Sequence, residues 1–388
     1  MLSRFKLLIC AVMSVSALAQ EPVTWTQSLQ LDKVMIDVTV EEVSRQLNFP
    51  WAVTGLPDDR LLITEKPGRL RIWQNGNLSA PLAGLPDVYY ASQGGLLDVI
   101  IDPEFSQNDW IYFSYSYQSD GGNTTRLMKA KMQPDGLKQQ TVLFEVQPYK
   151  DTPVHYGGRL AMLPDNTLVM TTGDGFDYRE QAQKPNSLLG KTVRLTLEGN
   201  IPNNNPFVGQ ADHRAEIYTL GHRNPQGLVY DSQRQVLWLH EHGPRGGDEL
   251  NALESGKNYG WPIATYGKDY SGANITPFQE YPGTENAVRV WTPSIAPSGL
   301  AIFRSDSVPA LDGALLIGTL VDRDIKVLLP DQTPQVERSL LAPLNYRIRD
   351  VWVQGQVIWA VTDEEQGRLL KITLKQRPIQ GDNRSHTF

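Results

Sequence analysis

Short runs of apolar and β-branched residues, broken by turns rich in Asp, Asn and Gly, recur along the whole chain. "PWAVTGLPDDRLLITEKPGRLRIW" from Pro50 holds a strand-like run, an Asp-rich turn, a second run and a Gly-Arg lead into a third. "GGLLDVIIDPEFSQNDWIYFSYSY" from Gly94 repeats the scheme with a longer turn. "GGRLAMLPDNTLVMTTGD" from Gly157 and "PQGLVYDSQRQVLWLHEHG" from Pro225 follow it, as do "PSGLAIFRSDSVPALDGALLIGTL" from Pro297 and "RDVWVQGQVIWAVTDEEQGRLLKITL" from Arg349. Paired runs across a polar turn are the mark of strand–turn–strand. No helical period persists beyond a turn or two, so the expected class is all-β.

The six units begin about 45 to 70 residues apart, within or above the spacing of propeller blades. The expected architecture is a six-bladed β-propeller with four-stranded antiparallel blades, and the alternative is a β-sandwich with insertions. Six matching units favour the propeller. The extra spacing falls in Gly/Asn/Pro-rich stretches such as "LEGNIPNNNPFVGQ" and "YGKDYSGANITPF". These are expected to form long loops on one face, where a propeller carries its function.

The ends and the composition narrow the setting. "MLSRFKLLICAVMSVSALA" joins Arg4 and Lys6 to an apolar core and an Ala17-Leu18-Ala19 end, the form of a secretory signal peptide. Residues 1–19 are therefore expected to be a leader and 20–388 a single propeller domain, periplasmic or secreted. The rival is a lipid anchor at Cys10, against which Ile9 stands where a small residue is needed. Cys10 is the sole cysteine, so the mature chain has no disulfide and relies on its core and any bound metal. Losing Arg4 and Lys6 takes the formal charge from −7 to −9. An acidic chain without a basic run is not built for nucleic acid, and no later stretch is long and apolar enough to span a membrane.

Several units end in polar groups rather than simple turns. His155 precedes Gly157 and Gly158, which permit close backbone approach, so it is either a structural histidine or a general base. "GHRNPQGL" gathers His222, Arg223, Asn224 and Gln226, as a self-capped loop or a polar ligand site. Arg347 and Arg349 share a strand face by their i, i+2 spacing, and two like charges there call for an anion between them. In "LHEHGPRGGDELNALESGKNYGWP", His240 and His242 lack a third nitrogen or sulfur ligand for zinc. Asp248, Glu249 and the carbonyls of the Gly-rich turn offer hard oxygen suited to calcium, without EF-hand order. There is no P-loop, dinucleotide fingerprint or nucleophile elbow.

Taken in order, "GGLLDVIIDPEF", "HYGGRL", "TTGDG", "NSLLGKTVRL", "GHRNPQGL", "HEHGPRGGDELN", "GKNYGWP" and "YRIRD" resemble the soluble aldose sugar dehydrogenases that use pyrroloquinoline quinone (PQQ), over essentially the mature chain. The resemblance implies a six-bladed propeller that oxidises the anomeric hydroxyl of an aldose to a lactone and passes electrons to an external acceptor, as a monomer or homodimer. It implies that His155 is the base and Arg223 stabilises charge on the quinone. Gln93, Arg223, Asn224 and Tyr270 would line the cofactor, while Arg347 and Arg349 would hold its carboxylates. The carbonyls of Gly243 and Pro244 would hold a calcium shared with the quinone, and Glu249 with the carbonyl of Tyr259 a further, structural one. Trp261 is expected to be a packing residue.

Three positions depart from the family pattern. Val154 stands where the glucose enzymes have Asp before the catalytic His, and His242 where they have Gln. Val321 replaces a cofactor-contacting lysine, with Arg323 two residues on as the candidate substitute cation. A calcium-dependent propeller lactonase and a non-catalytic sugar- or partner-binding propeller are the competing readings. The lactonase needs no arginine pair for an organic cofactor.

Overall fold

The computed structural model describes residues 23–31, 33–331 and 335–379. The expected leader therefore lies outside the described residues. Six antiparallel sheets form the body, and each of the six sequence units opens one of them. Their first strands are Pro50–Gly55, Leu96–Ile101, Gly157–Met162, Pro225–Asp231, Pro297–Ile302 and Ile348–Gln354. Each of these touches the next, and the last touches the first, so they ring a common centre. This is a six-bladed propeller.

Five blades have four strands, as the repeats predict. The sixth has five, because Val34–Leu47 pairs with Gly367–Pro378 and Thr24–Leu31 pairs in turn outside Val34–Leu47. The N-terminal hairpin thus covers the edge that the last C-terminal strand would expose. Its register is fixed by alternation: Ile36, Val38 and Val40 are buried while their neighbours are not.

The second strands of the blades read as continuous apolar runs for a physical reason. Leu61–Glu65, Thr167–Thr172 and Leu315–Thr319 are buried along their full lengths, since a neighbouring blade packs on each face. Each fully buried Leu or Ile there contributes about 1.5–3 kcal/mol. Polar residues within these runs stitch blade to blade. Thr64 Oγ1 donates to Leu97 O at 2.6 Å, and Ser114 Oγ to Gly158 O at 2.6 Å. Asp98 Oδ2 accepts from Leu160 N at 2.8 Å, and Asp350 Oδ2 from Val53 N at 2.9 Å.

These stitches meet in a buried ionic floor. The Arg159 guanidinium lies 2.9 Å from Asp350 and 3.5 Å from Asp98, over the face of Trp51 at 4.0 Å. It also donates to the carbonyls of Gln226 at 2.7 Å and Arg349 at 3.3 Å. Burial pushes the Asp98 carboxyl up to about 6 and raises that of Asp350. The floor closes the middle of the ring and fixes the backbone from which Arg349 and Gln226 rise.

Candidate active site

The chain reaches the centre through a strained entry. His155 sits at φ 52° and is followed by Gly157 at 65° and Gly158 at 93°. A Cβ on Gly173 would lie 2.0 Å from the His155 carbonyl oxygen, so the "TTGDG" turn is glycine where it presses on the histidine backbone. That turn delivers Asp174, whose Oδ1 lies 2.7 Å from His155 Nδ1. The imidazole is thus oriented by Asp174, although Val154 occupies the place expected to supply a carboxylate. Asp174 is itself fixed by Phe176 N at 2.8 Å and by the Trp261 indole N–H at 2.7 Å. Trp261 is therefore more than a packing residue: it holds the carboxylate that holds the base.

Burial lowers the His155 pKa below the usual histidine value. The Asp174 hydrogen bond and charge oppose this, while Arg223 and Lys150 push the same way as burial. The imidazole is therefore neutral near pH 7. A carboxylate only accepts, so Nδ1 carries the proton and Nε2 the lone pair. Lys150 lies behind the ring, 3.6 Å over the Tyr156 face and 2.9 Å from Asn123 Oδ1, and burial lowers its pKa to about 7. Gln93 accepts from His155 N at 2.9 Å and completes the support of this backbone.

Next to His155 in the chain, Tyr156 and Gly157 border a cavity of about 250 Å³ that is also lined by Lys66, Gln93, Asn224, His242, Arg347 and Arg349. A second lobe of about 200 Å³ is lined by Phe176, Arg223, Pro244 and Tyr270. The two hollows flank one stretch of backbone: Arg223 lines one and its neighbour Asn224 the other, Arg223 donates to His242 O at 3.2 Å, and Asn224 O accepts from His242 N at 3.2 Å. Of the predicted residues, Gln93, Asn224, Arg347 and Arg349 line the first hollow and Arg223, Pro244 and Tyr270 the second, while His155 lines neither and precedes Tyr156 and Gly157 in the wall of the first. Asn224 is 2 % exposed and Arg223 4 %, so both are walls rather than surface groups. Tyr270 is an exposed rim residue stacked on Phe176 at 6.2 Å.

The arginine pair needs a correction. Arg347 and Arg349 do share a face, but the anion between them is in part the protein's own. Asp363 lies 2.8 Å from Arg347 and 3.0 Å from Arg349. Burial alone would raise this carboxyl, yet the Arg349 charge and the hydrogen bonds from both arginines hold it at about 2. Lys66 also lines the cavity, with Nζ 2.9 Å from Ser92 O. Three cations face one carboxylate, so a positive excess remains for an anionic ligand. Arg323 is not among the lining residues of either lobe and sits on an exposed turn at φ 56°, whereas Lys66 supplies the further cation. Lys66 carried no sequence signal beyond "EKPGRL", because its partners come from other blades.

The Gly-rich corner was expected to offer oxygen to a cation. Its Gly243 O and His242 O accept from Arg223 at 2.8 and 3.2 Å, so both carbonyls already point at positive charge. A Cβ on Gly243 would lie 2.3 Å from Gly246 O, which leaves no room for a side chain. Asp248 is not free to ligate, since it accepts from Gly243 N, Ile295 N and Ala296 N, each at 2.8 Å. It shapes the loop instead. His240 and His242 point at the carbonyls of Gly299 and Pro297, and burial pushes both down to about 3, so neither forms a metal pair.

Glu249 pairs across the sheet with Glu241, which holds His222 Nδ1 at 2.8 Å, and His222 stacks on Tyr259 at 5.1 Å. Burial, then the Glu241 charge, pushes the Glu249 carboxyl up to about 8. Beside it, Asn251 Oδ1 is buried without a hydrogen-bond partner. Among the described residues no group of three or more His, Cys, Asp or Glu is placed to hold a metal. Any cation here would need carbonyl or amide oxygen beside the carboxylates.

The closed ring of six blades thus carries a carboxylate-oriented histidine and, at the neighbouring Tyr156 and Gly157, a cation-lined cavity. The chain belongs to the Glucose / Sorbosone dehydrogenase family, whose profile matches residues 47–371, and within it to the soluble PQQ-dependent aldose sugar dehydrogenases. It is 42% identical to aldose sugar dehydrogenase YliI of Escherichia coli (strain K12) over 345 residues, covering 87% of this chain and 93% of that protein. Against quinoprotein glucose dehydrogenase B of Acinetobacter calcoaceticus the identity is 30% over 292 residues, 67% of this chain and 59% of the other. The apo-form crystal structure of the E. coli soluble aldose sugar dehydrogenase superposes with a TM-score of 0.83 at 40% identity, covering 87% and 99% of the two chains. The PQQ-bound aldose sugar dehydrogenase of Streptomyces coelicolor superposes at 0.72 and 25% identity, covering 92% and 100%.

Proposed function

We propose that this protein is an exported PQQ- and calcium-dependent dehydrogenase that oxidises the anomeric hydroxyl of aldoses to lactones and passes electrons to an external acceptor. The observation that carries this is the neutral His155, tied through Nδ1 to Asp174, beside a cavity with a surplus of cations. The PQQ-bound relative supports the cofactor assignment, and the aldose-oxidising relatives the substrate class.

The residues present fit the absent groups. Lys66, Arg347 and Arg349 supply positive charge for a multiply anionic planar cofactor, while Gln93 and Asn224 line its edges. Gly243 O is held by the Arg223 guanidinium, so a hard divalent ion at the Gly243 and Pro244 carbonyls would have to displace that contact, whereas the Glu249 carboxyl and the unpartnered Asn251 Oδ1 offer oxygen that no cation yet holds. When bound, the quinone supplies a two-electron, hydride-accepting carbonyl, and the ion beside it a Lewis acid.

His155 Nε2 takes the proton of the anomeric hydroxyl as C1 gives up its hydride. The Asp174 carboxylate stabilises the imidazolium that forms. Arg223, buried and already ordered, would supply the positive charge that stabilises the bound quinone as it is reduced. The sugar leaves two hydrogens poorer, as the lactone. The test reconstitutes purified protein with calcium and PQQ, then follows aldose-dependent dye reduction and the spectrum of the bound cofactor. Wild type should reduce the dye and His155→Ala should not. Absence of activity in both would overturn the proposal.

A further inference from the structure

The second lobe does not end at Tyr270. A further hollow of about 420 Å³ opens from it and shares Arg179 and Ile275 with it. Partly exposed aromatic side chains stand along this path. Phe176 is 42% exposed and Tyr270 59%, and they stack at 6.2 Å with planes 25° apart. Farther out, Phe278 is 46% exposed and Tyr281 39%, meeting edge to face at 5.0 Å. Scattered exposed apolar residues are ordinary, but aromatic pairs lining one continuous groove from an active-site mouth mark a binding surface.

The polar groups between the aromatic pairs show what the groove complements. Arg179 has Asp269 and Glu180 as its carboxylate neighbours, each at 3.8 Å, so its planar donors are not engaged in close hydrogen bonds. Asp177 adds an acceptor on the same wall. Exposed aromatic rings interleaved with donors and acceptors, with Arg179 and Glu180 balancing each other in the outer hollow, match a neutral carbohydrate. The outer segment is also held in shape. Thr276 Oγ1 donates to Ile263 O at 2.6 Å, Thr265 N to Phe278 O at 3.0 Å and Thr284 N to Tyr281 O at 3.1 Å. A preformed groove loses little ordering entropy on binding.

Building on the proposed sugar oxidation, we infer that this groove is an outer subsite for the second and third rings of a linear neutral oligosaccharide whose reducing end lies at His155. Phe278 and Tyr281 form its outer platform, and Arg179 is its central hydrogen-bond donor.

The test compares glucose with maltotriose and cellotriose as substrates of the reconstituted enzyme. In parallel, calorimetry titrates the C1-reduced alditols of both trisaccharides into cofactor-free protein. Wild type should show a higher kcat/KM for at least one trisaccharide than for glucose, and should bind the matching alditol. Phe278→Ala and Tyr281→Ala should each lower trisaccharide kcat/KM and alditol affinity by about tenfold, the effect of removing an aromatic anchor. Glucose kinetics should stay unchanged. If both variants keep the wild-type ratio of trisaccharide to glucose, or if no alditol binds wild type, the subsite is refuted. Should glucose oxidation fail altogether while alditol binding depends on Phe278, the redox reading falls and the subsite stands.

Discussion

Replacing Asp174 by Asn tests the core of the site, because the carboxylate is surrounded by donors alone. Oδ1 receives His155 Nδ1 at 2.7 Å and Phe176 N at 2.8 Å, and Oδ2 receives the Trp261 indole at 2.7 Å. An amide has one accepting oxygen and one donating nitrogen, so in either orientation a buried donor meets a donor. With the oxygen toward His155 and Phe176, the mismatch falls on Trp261. With the amide reversed, it falls on Phe176 N and the imidazole must also switch tautomer. The first orientation wins, at a destabilisation of about 1–3 kcal/mol for the unmatched buried group.

Catalysis suffers separately. Without the carboxylate charge the His155 imidazolium loses its stabilisation, and the contribution of a positioned general base is about 10²–10⁴-fold. Asp174→Asn should therefore lower kcat by at least about a hundredfold with KM little changed. Adding Trp261→Phe removes the mismatched donor, so the double variant should be more stable than the two single changes predict by about 1–3 kcal/mol, with kcat still low. Urea denaturation of the four proteins and steady-state assays of the reconstituted enzymes read both effects. Strictly additive stabilities, or a kcat within threefold of wild type for Asp174→Asn, would refute the arrangement.

Two further outcomes follow from the same electrostatics. Asp363→Asn should destabilise the cofactor-free protein by about 2 kcal/mol at neutral pH, because its pKa is held at about 2 against an ordinary 3.8. A depressed carboxyl stabilises above its unfolded pKa, so denaturation curves of wild type and variant should converge as the pH falls through about 2, and curves that stay apart would exclude this origin. His240 is buried and pushed down to about 3, with Nδ1 unpartnered, so it must gain a proton on unfolding below about pH 6.5. Its contribution is complete above that pH and erodes below it, so His240→Gln should lose about 2 kcal/mol less stability between pH 7 and pH 5 than wild type, and parallel curves would contradict this.

The sequence exposed the repeated parts of the molecule and concealed the relational ones. Every blade opened where a strand–turn–strand unit was read, because a period-two run between polar turns is a local property. The pairing of Val34–Leu47 with Gly367–Pro378 was not readable, since its register is set across almost the entire chain. The same division holds in the site. His155, Arg223 and the arginine pair stood out by their neighbours in sequence. Asp174, Trp261, Lys66 and Asp363 reach the centre from other blades or loops, and their roles exist only once the ring is closed. The arginine argument was right about the shared face and incomplete about the anion, because Asp363 lies fourteen positions downstream of Arg349.

The five-stranded blade bears on how the molecule comes into being. Arg349 and Asp363 are carried by that blade, whose strand Val34–Leu47 pairs with Gly367–Pro378 from the far end of the fold. Without that pairing His155 and Arg223 would still stand on their own blades, but Arg349 and Asp363 would lack the completed sheet behind them. The cation-bearing wall of the cavity is therefore a product of ring closure, and weakening the Val34–Leu47 seam should disturb it from the far side of the sheet.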